Sequence, residues 1–112
     1  MTNQQFAKLA LSFEGVIEMP HFDRRAFKVA NKRISATLHE ASGTANLKFS
    51  PEDQSVYSLI DKKTIYPIKN KWGLQGWTTF ELKNIDKQLM LDALDTAYKE
   101  VLKSGVAKSN RK

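Results

Sequence analysis

The sequence predicts an α+β fold, a two-layer sandwich in which helices cover one face of an antiparallel five-stranded sheet, in the order α-β-β-β-α-β-β-α. Three observations carry this. Apolar residues recur at helical spacing near both ends of the chain, and two-residue alternation fills the middle. Between the strand groups, Ser50-Pro51-Glu52-Asp53 marks a helix start. Short connections make sequential strands antiparallel neighbours, with room for a later strand to insert between two of them.

In the first helix Asn3 can serve as cap, and Phe6, Leu9, Ala10 and Phe13 share a face. Gly15 suits a left-handed residue past the helix end, so the helix is expected to stop near Phe13 or Glu14. Val16 to Phe22 then leads into the sheet. Phe27 and Val29 share a face of the first strand, with Asn31 in the turn after it. Ile34, Ala36 and Leu38 do so in the second, and Ala45, Leu47 and Phe49 in the third. In the middle helix Ser50 offers a cap oxygen, Pro51 is preset for the first position, and Glu52 and Asp53 meet the positive helix end. Val56, Leu59 and Ile60 are its expected buried side. Tyr66-Pro67 marks a short edge strand, because proline cannot donate to a ladder. Thr78, Phe80 and Leu82 alternate in the last strand. Asn84 or Asp86 opens a long helix with Met90, Ala93, Leu94, Ala97, Tyr98 and Val101 on one side and an Asp95–Lys99 pair on the wet side.

A chain of 112 residues builds one core, placed here at residues 1–104. Residues 103–112 hold Lys103, Lys108, Arg111 and Lys112 without an acid, so most of the net charge of +6 sits at the end, and residues 105–112 are expected to form a basic, flexible tail. Such a tail adds attraction to polyanions or simply keeps a small protein soluble. There is no cysteine, which excludes disulfides, thiolate chemistry and sulfur-ligated zinc. No stretch approaches a membrane span, and Met1 to Gln5 lacks the basic start of a signal peptide, so a cytoplasmic location is expected.

Several local patterns together are familiar. Phe27-Lys28-Val29, Leu47-Lys48, Ser50-Pro51-Glu52, Trp77-Thr78 and Ala97-Tyr98, in that order, resemble the MmcQ/YjbR-like family of small bacterial proteins, with the likeness running from Phe6 to Leu102. The block from Tyr66 to Trp77 resembles the version in one branch of that family. The resemblance implies a fold similar to secretion chaperones or to CyaY-like proteins, no established catalytic residues, and a DNA-binding role attached by analogy of shape.

Two features point to a surface. Lys69-Asn70-Lys71-Trp72-Gly73-Leu74-Gln75-Gly76-Trp77 holds both tryptophans and no acid, which suits either a loop that presents rings and charge or a plug for the core edge. Trp77, opening a strand, is expected to pack partly under this loop, while Trp72 lies in its middle. Alternation also pushes Lys28, Arg33, Ser35, Thr37, Asn46 and Lys48 to the side away from the helices, with Trp77, Thr79 and Glu81 beside them. A half-solvated sheet commonly shows such residues, with lysine discouraging edge pairing. A cationic sheet carrying an aromatic ring is also the chemistry that holds single-stranded nucleic acid. A second basic run, Arg24-Arg25-Lys28-Lys32-Arg33, supplies five cations without an acid over residues 24–33.

Catalytic material is sparse. His21 with Asp23 and His39 with Glu40 are the histidine–carboxylate neighbours, and the latter pair points to opposite faces of a strand. No metal-ligand spacing, phosphate loop or nucleophile elbow occurs, so the sequence predicts no enzyme, no metal and no cofactor. The expected function is nucleic-acid binding, DNA included: Lys28, Arg33, Lys48, Lys69 and Lys71 contact phosphate, and Trp72 or Trp77 stacks on bases. The alternative is a protein-interaction or chaperone-like module that receives a peptide strand at a sheet edge.

Overall fold

A computed structural model describes residues 1–104, so the tail expected at 105–112 lies outside the described residues. Its elements are α1 (Asn3–Leu11), β1 (Val16–His21), β2 (Arg24–Val29), β3 (Ile34–His39), β4 (Thr44–Lys48), α2 (Pro51–Ser58), β5 (Ile65–Pro67), α3 (Lys71–Leu74), β6 (Trp77–Glu81) and α4 (Lys87–Ser104), with a single 3₁₀ turn at Leu82–Asn84 before α4. The sheet is antiparallel with six strands, not five, in the order β1-β2-β3-β4-β6-β5. Val16–His21, expected only to lead into the sheet, is a full edge strand. Apolar residues fall on both of its faces and hide the alternation. Pro20 is tolerated because an edge strand leaves one side of its backbone unpaired. No later strand enters among β1 to β4; the last strand slips between β4 and β5 instead.

Capping explains most helix ends. Thr2, not Asn3, caps α1: its Oγ1 accepts from the Gln5 amide at 3.0 Å, and the Gln5 side chain accepts from the Thr2 amide at 2.8 Å. The helix therefore begins and ends earlier than its apolar spacing suggested. Ser50 caps α2 and Asp86 caps α4, each accepting from a backbone amide three residues on.

The core lies on one side of the sheet. Phe6 and Ala10 of α1 and Met90, Ala93, Ala97 and Val101 of α4 pack over Phe27, Leu38, Leu47, Phe49, Ile65 and Phe80, all buried. Phe6 meets Phe27 edge to face with centroids 5.8 Å apart, and Phe49 meets Phe80 likewise at 5.9 Å. Each such side chain contributes roughly 1.5–3 kcal/mol by leaving water. The α2 helix departs from expectation: Val56, Leu59 and Ile60 are exposed, Leu59 by 74%. Its inward side is Gln54 and Tyr57. The Tyr57 ring stacks on Phe49 at 4.8 Å and its hydroxyl pairs with Thr96 at 3.2 Å. Gln54 Nε2 donates to the carbonyls of Gly73 and Trp77. A short helix has one inward stripe, and the polar stripe that clamps the tryptophan segment occupies it.

One irregularity reverses part of the predicted facing. Phe27 pairs with Ala36 but Lys28 pairs with Ile34, so Ser35 is an extra residue in β3. Ser35 is buried and donates to the Phe27 carbonyl at 3.2 Å, while Ile34 turns to the side away from the helices. Sequence alternation had placed these two residues the other way round.

The segment before β6 is pressed against β4 and α2. The Phe49 amide donates to the Gly76 carbonyl at 3.1 Å, and a Cβ built on Gly76, whose φ is +105°, would stand 1.8 Å from the Phe49 carbonyl oxygen. Neither that backbone angle nor that approach admits a side chain. Gly76→Ala is accordingly expected to cost ~3 kcal/mol or more of folding stability. Urea unfolding followed by tryptophan fluorescence checks it, with a midpoint shift far larger than for Gly43→Ala, whose Cβ meets nothing within 4 Å.

Candidate nucleic-acid interface

The side of the sheet away from α1 and α4 is not covered by any described element except at one rim, where α3 stands. Cross-strand pairing places Ile17, Met19 and His21 of β1 on this open face. Beside them lie Arg24 and Lys28 of β2, Ile34 and Thr37 of β3, Asn46 and Lys48 of β4, and Trp77 and Thr79 of β6.

Lys28, Lys32, Arg33 and Lys48 come together with Trp72 and Trp77 around an open basin of about 480 Å³. Five of the seven predicted contact residues thus meet: Lys28, Arg33, Lys48, Trp72 and Trp77. Lys69 and Lys71 do not line the basin. They are exposed on the tryptophan segment next to it, and Lys71 Nζ stands 6.0 Å from the Trp72 ring centre. The rim is not free of acid, because Glu100 of α4 reaches it. Four cations therefore face one carboxylate.

Each cation has its own setting. Lys48 is half-buried, donates to the Phe49 carbonyl at 2.9 Å, and has its ammonium pKa lowered, first by burial and then by Arg33, while Glu100 opposes both. Such a cation is partly desolvated before any partner arrives. Lys32 reaches across to the Leu102 carbonyl at 3.4 Å. Arg25, counted in the second basic run, is lost to this face. It sits on the helix side, forked onto Glu18, with one nitrogen 2.9 Å from Glu18 Oε1 and another 3.1 Å from Glu40. That fork raises the Arg25 pKa and lowers that of Glu18.

The tryptophan segment is neither a free loop nor a buried plug. Asn70 Oδ1 accepts from the Trp72 amide at 2.8 Å and starts the four-residue α3. Ile68 donates to the Trp77 carbonyl at 3.1 Å. Gly73 packs so closely that a Cβ there would lie 1.8 Å from the Ile68 carbonyl oxygen. The backbone is thus anchored while Trp72 remains 49% exposed and Trp77 half-buried. The two indoles border the same hollow from α3 and β6.

Arg24 and Ile34 also belong to this face. They line a neighbouring slot of about 330 Å³ with His21, Thr37, Asn46, Ile68, Trp72 and Trp77. Sequence reasoning missed Ile34 because the Ser35 bulge leaves no mark in the alternation.

The opposite end of the face is acidic. Tyr66 donates to Glu81 Oε2 at 2.6 Å, and His39 Nε2 lies 3.1 Å from Asp23. His39 Nδ1 in turn lies 2.7 Å from the Ser42 hydroxyl, which is shared with Thr44 at 2.8 Å. This Ser–His–Asp chain of contacts stitches two hairpin ends together. Asp23 is 75% exposed, too solvated to hold an imidazole in one tautomer. His21 stands apart, its ring against that of Phe22 at 4.9 Å. Phe22 occupies the β1–β2 turn with φ +59°, a region that favours glycine, and is 94% exposed. Among the described residues no group of three His, Asp or Glu side chains could hold a metal ion, and no helix is long and apolar enough to cross a membrane.

The sequence matches the family model YjbR over residues 11–100. A crystal structure from Deinococcus radiodurans, of a protein carrying the family domain DUF419, is similar with a TM-score of 0.75 and 18% identity, covering 99% of this chain and 83% of that one. A structural-genomics protein from Pseudomonas syringae is similar with a TM-score of 0.67 and 21% identity, covering 90% of this chain and 99% of that one. At such identities the likeness is one of fold. A comparison with curated proteins finds no match.

The Tyr66–Glu81 bond yields a direct check on the face. The carboxylate accepts a hydrogen bond from the neutral phenol, and this, together with burial and the carboxylate's charge, raises the Tyr66 pKa to about 12. Because the folded value lies above the unfolded one of about 10, the bond's stabilisation is complete below pH ~10 and is lost as pH climbs through the folded value. Ultraviolet titration should show a tyrosine ionising near pH 12. Glu81→Gln should return it toward about 10.

Proposed function

The chain belongs to the YjbR family, a family of uncharacterised function, and we propose from the chemistry of its own surface that it binds nucleic acid, DNA included, on the open sheet face. The observation that carries this reading is the basin in which Lys28, Lys32, Arg33 and Lys48 meet two indoles. Ammonium and guanidinium groups attract phosphate whatever the base, and partly exposed indoles stack on any base. Lys69 and Lys71 extend the positive rim along the tryptophan segment. The partial burial of Lys48 favours this use: a phosphate would meet a cation that has already lost part of its water.

A second reading rests on apolar exposure. Val56 of α2 and Leu59 and Ile60 just beyond its end are exposed, and Ile17 and Met19 lie on the edge strand β1, whose outer backbone side is unpaired, so a protein partner has both apolar residues and a strand to dock on. A stoichiometric protein recovered after nuclease treatment, and lost with Leu59→Ser, would favour that reading.

Fluorescence anisotropy with labelled DNA at low salt tests the first. Four or five phosphate contacts predict a log–log salt slope of about −3 to −3.5 on a single strand. Trp72→Ala should weaken binding on the order of tenfold with only a small shift of the unfolding midpoint, since about half of the residue is already in water. Lys48→Met should weaken binding with little change in stability, because removing a charge that burial disfavours offsets the loss of its bond to the Phe49 carbonyl. Titrations that stay flat with both single and double strands would remove the proposal.

A further inference from the structure

Two hollows on the open face share a wall. Ile34, Trp72 and Trp77 line both the basic basin and the slot of about 330 Å³ beside it. The slot is walled by Ile34, which the Ser35 bulge turns outward, by Trp72 of α3, and by Ile68, whose amide is tied to the Trp77 carbonyl. Its volume is at the small end of ligand pockets, ring-sized rather than peptide-sized. Its walls are largely apolar, and two of its polar side chains, Arg24 and Asn46, have hydrogens to offer, beside the His21 ring and the Thr37 hydroxyl. Arg24 gives its Nε to the Thr37 hydroxyl at 2.8 Å, while its Nη2 is buried without a partner among the described residues. Asn46 spends its Oδ1 on the Thr79 hydroxyl at 2.7 Å, which leaves its amide hydrogens to offer. A buried donor without an acceptor is costly, and an incoming acceptor removes that cost.

A flat ring with acceptors on one edge fits such a slot, and an anion fits the basin across the indole wall. One chemical unit carries both, a nucleotide. We propose that the slot takes a single unstacked nucleobase of a DNA or RNA strand, acceptor edge toward Arg24 and Asn46, while the flanking phosphates lie against Lys28, Arg33 and Lys48. The inference rests on the nucleic-acid reading of this face and adds two properties to it. Binding depends on the base and not only on the backbone, and it requires a single strand, because a paired base reaches the slot only by being flipped out of its duplex.

The test compares three fluorescein-labelled DNAs of equal length, about 12 nucleotides to suit a small binding platform. They are a single strand of mixed sequence, the same strand made abasic throughout, and its duplex, each titrated by anisotropy with the full chain. The intact strand is expected to bind on the order of tenfold more tightly than the abasic strand, as one stacked and bonded base provides, and more tightly than the duplex. Arg24→Met should narrow the gap between intact and abasic strands. Equal binding of intact and abasic strands overturns the base slot while leaving the nucleic-acid reading standing. So does a duplex that binds as well as the single strand, or a gap unaltered in the Arg24→Met variant. Failure of all three DNAs to bind ends both readings.

Discussion

The structure depends on a single apolar layer, closed on one side of the sheet. Phe6 and Ala10 of α1 and Met90, Ala93 and Ala97 of α4 meet Phe27, Leu38, Leu47 and Phe80, and together they exclude water from one face of the strands. The described residues supply no second apolar layer for the other face. There the strands carry mixed groups: lysine and arginine side chains, hydroxyls bonded across strands, and two partly exposed indoles. A small chain commits its helices to the face where burial contributes most. Its second face is left to water and to whatever else can bind there.

Local backbone irregularities then shape that second face. The bulge at Ser35 turns Ile34 outward beside Trp77. Gly73 and Gly76 let the tryptophan segment approach Ile68 and Phe49 so closely that side chains are excluded. Gln54 of α2 ties the same segment down through two carbonyls. The outcome is a rigid support for partly exposed rings, the condition under which an aromatic side chain binds at low entropic cost. The exposed side of α2 follows from the same arrangement, because the helix turns its polar stripe inward to hold the segment.

Charge is distributed unevenly from one end of the open face to the other. Lys28, Arg33 and Lys48 gather near the C-terminal end of α4, whereas Asp23 and Glu81 stand at the opposite end, engaged with His39 and Tyr66. Such a gradient makes one end of the face more favourable to an anion than the other. Arg25 contributes nothing to this gradient, being consumed by Glu18 and Glu40 on the helix side.

By itself the sequence determined the α+β fold class, the antiparallel strands around Phe27, Leu38, Leu47 and Phe80, the Ser50 cap, and the buried side of α4, while the choice of Asp86 over Asn84 as the α4 cap came from the structure. Each of the former rests on a local rule, either period or cap chemistry, that neighbours in the chain settle between themselves. It also placed Lys28, Lys48 and Trp77 on one face, since strict alternation holds along β2, β4 and β6. Only the tertiary structure decided that Val16–His21 joins as a sixth strand, for an edge strand with apolar residues on both sides carries no clean period. Only the tertiary structure turned Ile34 out, withdrew Arg25 and left Val56, Leu59 and Ile60 in water. Those outcomes depend on a bulge, an ion pair and a hydrogen-bonded clamp between residues distant in sequence, and no spacing of side chains records them.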